Sequence, residues 1–303
     1  MTRKVVVRLK GGLGNQLFCY AAARRLAWAN DAELVLDAVT GFKYDHLYRR
    51  TYALGCFSIP ARLATPAEQM EPLGRVRRLI ARKLSERKPL EQRRYIQQVG
   101  VDFDPGIVAL RLQDGTTYFD AFGQSERYFA DICQQLQRDL VMSTPQDRTN
   151  LAMAVQIEST DSVALHVRWF GAGDGAHSSN VSLAYYAAAI PQLLAKIPGA
   201  YFFVFSDRPS DAAALLSPLM GGRPFTVVAH NADTSNAEAD FWLMRQCRHF
   251  IIGNSTFAWW AAWLGEQERQ GAQVFAPARN VDPQHSVTAW GFPGLLPDRW
   301  TVL

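Results

Sequence analysis

Short apolar runs alternate along the whole chain with longer stretches of helical periodicity. KVVVRL reads as a strand, a glycine loop follows, and NQLFCYAAARRLAWAN predicts a helix. A second apolar run, AELVLD, ends at Asp37 and completes a β-α-β unit. The alternation is clearer in the second half, where SVALHVR, AYFFVFSD, FTVVAH and HFIIGN predict strands. LAYYAAAIPQLLAKI and DFWLMRQC predict helices between them. Near-continuous apolar strands separated by helices predict α/β folding on parallel sheets buried on both faces. The polar, proline-containing stretch STPQDRTN at 143–150 predicts a boundary, so two Rossmann-like domains, 1–150 and 151–303, are the simplest architecture.

Ligands of open parallel sheets bind beyond the carboxyl ends of the strands, and there the polar residues of the second half collect. His166 and Arg168 end one strand, Ser206 and Asp207 a second, His230 and Asn231 a third. HFIIG runs into Asn254, Ser255 and Thr256, which open the helix FAWWAAWLG. Those three residues suit helix capping. Free N–H groups at a helix start behind a parallel strand equally suit a phosphate, and an arginine fork beside them adds to that reading. Four polar strand ends in one half favour a nucleotide. Asp240 precedes the predicted helix and reads as an N-cap first and a ligand contact second. The aromatic run Phe257, Trp259, Trp260 and Trp263 reads mostly as core.

The first glycine loop, with Gly12, Gly14, Asn15 and Gln16, is close to a dinucleotide fingerprint, and Asp37 stands where a ribose contact would lie. Leu17 occupies the place of the last small residue, which disfavours an NAD domain. What the loop retains is close backbone approach and the amides of Asn15 and Gln16 as donors. DFD at 102–104 follows no apolar strand and precedes Pro105-Gly106, so it reads as a turn. No zinc spacing, nucleophile elbow or Walker loop occurs, and nothing in the sequence calls for a metal.

Composition narrows the class. The 303 residues are 48% hydrophobic and 20% charged, as in a globular protein, with a net charge of only +4. Bulk charge therefore gives no argument for nucleic acid. No run reaches the length that spans a bilayer, and the charged N-terminus feeds a strand. The four scattered cysteines, Cys19, Cys56, Cys133 and Cys247, suit reduced thiols, and the expectation is a cytoplasmic protein. Residues 73–94, LGRVRRLIARKLSERKPLEQRR, form the one strongly basic segment. A solvated surface helix is its plain reading. The sharper one is a helix lying on an anionic membrane, which would put the protein peripherally at the inner face near lipid-linked glycans.

Taken in order, GGLGNQLFCYAAARRLA, RRTYALGCFSI, FGQSERYF, LAYYAAAI, FFVFSD, DFWLMRQCRHFIIGNSTFAWWAAWLG and LLPDRWTVL resemble the α-1,2-fucosyltransferases of glycosyltransferase family 11 nearly end to end. The resemblance implies a GT-B arrangement, two Rossmann-like domains with parallel sheets facing across a cleft, the first on the acceptor side and the second binding the nucleotide sugar. It implies GDP-fucose as donor substrate, no cofactor and no metal, a galactoside acceptor, and inversion at the fucose anomeric carbon. The family's H-x-R-R-G-D motif maps to His166, Arg168, Gly173 and Asp174; its second arginine is Trp169 here, and Phe170-Gly171-Ala172 interrupt it. Arg168 then carries the diphosphate contact with less help, supported by the start at Asn254, Ser255 and Thr256. Asp207 would accept from the guanine edge, and His166 would frame base or ribose. Asp37, Asp174 and His177 are the candidates for the base that takes the acceptor proton. Two competing readings are a same-fold transferase with another nucleotide sugar and a degenerate carbohydrate-binding protein.

Overall fold

The computed structural model describes residues 2–169, 181–232, 236–278 and 290–303. The chain forms two compact units, Met1–Met142 with Pro293–Leu295, and Ser143–Phe292 with Leu296–Leu303. The division falls at the near edge of the polar stretch 143–150, whose last residues already belong to a helix from Arg148.

The first unit comprises β1 (Arg3–Arg8), α1 (Leu13–Trp28), β2 (Ala32–Asp37), β3 (Arg62–Leu63), α2 (Gly74–Glu86), β4 (Tyr95–Gln97), α3 (Pro105–Ala109), β5 (Gly115–Asp120) and α4 (Cys133–Asp139). Its sheet has the order β3-β2-β1-β5-β4, and all of its pairings are parallel. Val5, Val6 and Val7 in β1 are fully buried, as expected of a strand with helices on both faces. Asp104 of the DFD run caps α3 by accepting from the Gly106 N–H at 2.8 Å, so the run is a turn into a short helix.

The second unit comprises α5 (Arg148–Glu158), β6 (Ser162–Val167), α6 (Leu183–Lys196), β7 (Tyr201–Ser206), α7 (Pro209–Leu216), β8 (Phe225–Val228), α8 (Ala237–Gln246), β9 (His249–Ile251), α9 (Thr256–Glu268), β10 (Val274–Ala276) and β11 (Thr301–Val302). The order of its parallel strands is β11-β10-β9-β6-β7-β8. The chain starts at β6 in the middle, winds outward through β7 and β8, then returns to the other side of β6 at β9. The strand order therefore reverses between β6 and β9. At such a switch point two neighbouring connections diverge and leave a crevice above the strand ends.

Helix α9 is buried all round from Ala258 to Gly265, which explains an apolar sequence with little amphipathic bias. Trp259 and Trp260 lie with ring centroids 5.1 Å apart, and Trp263 and Trp300 complete the cluster. Gly265 permits this seat: a Cβ there would lie 2.4 Å from the Phe250 ring and 3.0 Å from the Arg245 carbonyl.

Candidate functional site

β6 ends at the reversal of strand order, so its last residues are held by neighbours on both sides. Val167 is in register with Ser206, which brings Arg168 beside Asp207, and their ion pair closes at 2.6 Å. The other carboxylate oxygen of Asp207 accepts from the Trp169 N–H at 3.2 Å. Both side chains of the pair remain about 30% exposed, at 28% and 31%. Arg208 lies over the Trp169 indole with its guanidinium carbon 5.3 Å from the ring centroid, and pairs with Asp211 at 2.5 Å.

On the opposite side of β6, Gly253 backs onto His166. A Cβ at Gly253 would sit 3.1 Å from the His166 carbonyl oxygen and 3.3 Å from its Nδ1, so glycine lets the two strand ends approach without displacing either. Tyr186 donates to the His166 carbonyl at 3.1 Å, and Phe257 stacks on the imidazole at 6.3 Å. Burial, with the Arg168 cation second, pulls the imidazole pKa down to about 3. His166 is thus a neutral ring at physiological pH, too weak to serve as a general base. Two buried donors or acceptors here, His166 Nδ1 and Trp169 Nε1, have no hydrogen-bond partner among the described residues.

Ser255 occupies the N-cap of α9 without a side-chain cap bond, so the hydroxyl does not take up the first-turn N–H groups. Asn254 is buried at the strand-to-helix corner. Asp240 corrects its sequence reading: it lies within the first turn of α8, whose N-cap is Asn236. Its carboxylate accepts from Asn231 at 3.0 Å, and burial raises its pKa to about 6. Asn231 is in turn bonded to Asn150, which also meets His230 at 3.0 Å. One unit therefore brings together His166, Arg168, Asp207, Asn254, Ser255 and Thr256 around its switch point, with Asp240 linked through its neighbour Phe241, whose ring meets Phe257 at 5.1 Å. Gly173, Asp174 and His177 lie outside the described residues.

The remaining candidates belong to the first unit. Gly12 is the N-cap of α1, Gly14 is buried in its first turn, and the Arg50 guanidinium stands 3.6 Å from where a Gly12 Cβ would be. Asn15 accepts from Gln124 at 2.9 Å. Gln16 corrects its reading as a ligand donor: fully buried, it donates to the carbonyls of Gly11 at 2.9 Å and Thr51 at 2.8 Å and accepts from Ala53. Asp37 is corrected as a base. It is fully buried, and its oxygens accept from the N–H groups of Val39 and Thr40, the Thr40 hydroxyl and the Tyr118 phenol. With every lone pair directed into the protein, it fixes the loop after β2 instead of reaching an acceptor.

Two features escaped the sequence reading. Arg208 stands one residue past Asp207 at the same strand end. Asp120, at the end of β5, joins Arg8 at 3.1 Å, Lys10 at 2.7 Å and the Tyr95 phenol at 2.8 Å, and its place at a strand end was the available signal.

A model of glycosyl transferase family 11 matches residues 91–286. An alpha-1,2-colitosyltransferase of Escherichia coli is 28% identical over 86% of this chain and 87% of its own length. The O-antigen biosynthesis glycosyltransferase WbnK of Escherichia coli is 26% identical over 86% of this chain and 90% of its own. Among solved structures, a mutant FUT1 of Arabidopsis thaliana in complex with GDP superposes with a TM-score of 0.51 at 13% identity, covering 94% of this chain and 72% of that one. The fold is GT-B type, built from the two α/β units described.

Proposed function

The chain belongs to glycosyltransferase family 11, and from that premise we propose that it moves L-fucose from GDP-fucose to O2 of a terminal galactoside, with inversion, in an oligosaccharide or surface polysaccharide unit. The observation that carries the reading is the Arg168–Asp207 pair standing at the switch point of the second unit, beside the start of α9. Breaking the bond between fucose C1 and the diphosphate oxygen leaves the electron pair on GDP. A fixed, partly exposed guanidinium and helix N–H groups without a side-chain cap are suited to that developing charge. Arg208, steadied on Trp169, supplies a second cation close to where the family's motif has its second arginine.

The acceptor oxygen bonds to C1 from the opposite face as the C1–O bond breaks, and its proton passes to a base. Asp174 or His177 takes that role in this reading, because Asp37 is enclosed and His166 has too low a pKa. Because its carboxylate is already engaged with Arg168, Asp207 acts chiefly by aiming that side chain, and a guanine contact would have to share the same oxygens. Phe257, itself packed on Phe241, backs the ring of His166, while the Asp240 carboxylate is held by Asn231.

The experiment is incubation with GDP-fucose and lactose in the presence of EDTA, with mass and linkage analysis of the product. A gain of one deoxyhexose at galactose O2 is expected. GDP should stabilise the protein against heat, while UDP and dTDP should not. A second reading, colitose as the transferred sugar, is favoured by the alpha-1,2-colitosyltransferase relative. Faster product formation from GDP-colitose than from GDP-fucose would establish it in place of the first.

A further inference from the structure

Helix α2 is amphipathic in the reverse sense. Gly74, Arg78, Ala81 and Ser85 recur at helical spacing on the face turned to the protein. That polar face is held by specific bonds. The buried Arg78 guanidinium donates to the Gln69 carbonyl at 2.6 Å, the Ser85 hydroxyl accepts from the Tyr95 N–H at 3.0 Å, and Ala81 packs against Val6, Val35, Tyr95 and Tyr118. The apolar stripe is consequently turned to solvent: Leu73, Val76, Leu79, Ile80 and Leu84 are each between 48% and 73% exposed. A surface helix ordinarily buries that stripe, so its outward orientation marks a docking face.

The charge around the stripe identifies what docks. Residues 73–94 hold nine Arg and Lys against two Glu, a charge of +7 in a chain whose total is +4, so the remaining residues together carry −3. The only acid within the helix itself, Glu86, is within reach of both Arg82 at 3.7 Å and Lys83 at 3.3 Å. A second region continues the face: Tyr44, Leu47 and Tyr48 are each more than half exposed, and Arg75 stacks on the Tyr44 ring at 5.5 Å. Amphipathic tyrosines beside an apolar stripe rimmed by cations fit the boundary between lipid headgroups and acyl chains. A second copy of the same face would set like charges against each other, whereas an anionic bilayer neutralises them.

We infer that α2 and the Tyr44–Tyr48 loop form a docking surface for an anionic lipid bilayer. This surface uses none of the residues assigned to donor binding, and its test is independent of which sugar is transferred. Deleting the helix would also remove Arg78 and Ser85 from the interior, so point variants of the exposed stripe are the right probes.

The full-length protein is to be sedimented with vesicles of phosphatidylglycerol and phosphatidylcholine, and with phosphatidylcholine alone. Binding at least about tenfold stronger to the anionic vesicles, weakening as salt rises, is expected. The double variant Ile80→Glu/Leu84→Glu should lose at least about tenfold of that binding. The variant Arg77→Gln/Lys83→Gln/Arg87→Gln should lose the preference for anionic lipid. Both should keep the wild-type melting temperature and the wild-type rate on lactose. Equal binding to the two vesicle types, no binding to either, or undiminished binding by the double variant would overturn the inference. So would a dimer in solution that Ile80→Glu dissociates, since the stripe would then serve a second copy.

Discussion

Each unit has a place where strand order turns back on itself, and the two places are furnished in opposite ways. In the first unit the ends of β1 and β5 meet at a closed network: Asp120 is 4% exposed and bonded to Arg8, Lys10 and Tyr95, and Asp37 nearby is saturated by Thr40 and Tyr118. In the second unit the Arg168–Asp207 pair is partly open and two buried ring nitrogens lack partners among the described residues. The contrast extends to two buried aspartates. Burial acts to raise the pKa of Asp120, but Lys10 and Arg8 hold it below the ordinary value; at Asp240 burial prevails against the Asn231 amide and the pKa rises to about 6. A closed network belongs to the scaffold, whereas groups held in place but left incompletely satisfied are prepared for a ligand.

The largest effect that would sharpen this difference is at Asp120. Asp120→Ala leaves two cations and a phenol without their shared partner and should cost about 3–5 kcal/mol of stability in urea denaturation, as removal of one partner of a buried pair does. Its affinity for GDP should stay within about twofold of wild type at temperatures where it remains folded. An intact fold with lost GDP binding would break the comparison.

Arg168→Ala should do the reverse, lowering turnover at least about a hundredfold with little change in melting temperature. Retained activity would move the phosphate site elsewhere. At Asp240 the expected effect is smaller and depends on pH. The folded carboxyl keeps its proton up to about pH 6, above its ordinary value of 3.8, so its ionisation costs the folded state stability as pH rises through that window. Asp240→Asn should therefore stabilise the protein by about 3 kcal/mol above pH ~6, with the gain disappearing below pH ~4. Denaturation midpoints across that range check the sign. The smallest effect is predicted for Arg208→Ala, about a tenfold loss of GDP affinity with a reduced salt dependence, measured by calorimetry.

The strands β1, β2, β6 and β7 were legible because burial on both faces leaves an uninterrupted apolar run. β3, Arg62–Leu63, and β4, Tyr95–Gln97, offered no such run. The strand-end rule located His166, Arg168 and Asp207, but the reversal between β6 and β9 exists only once strand order is known. The enclosure of Asp37 was equally hidden, since Tyr118 comes from β5, which β1 separates from β2 in the sheet. For α2, periodicity grouped Val76, Ile80 and Leu84 on one side without telling which side faces inward. That is decided by partners just outside the helix, Gln69 before it and Tyr95 after it, for Arg78 and Ser85.

The tryptophans of α9 have an optical consequence. Trp259 and Trp263 lie nearly parallel, 10° apart in plane at 6.1 Å, while Trp260 meets both edge-on and Trp300 lies 5.5 Å from Trp259. Half of the chain's eight tryptophans are thus close enough for their excited states to couple. The protein should show an exciton couplet in its circular dichroism and an emission dominated by one buried, water-shielded group of indoles. Because Trp259 is one helical turn from Thr256, a nucleotide settling on the start of α9 would perturb that signal directly, giving a label-free titration of the donor.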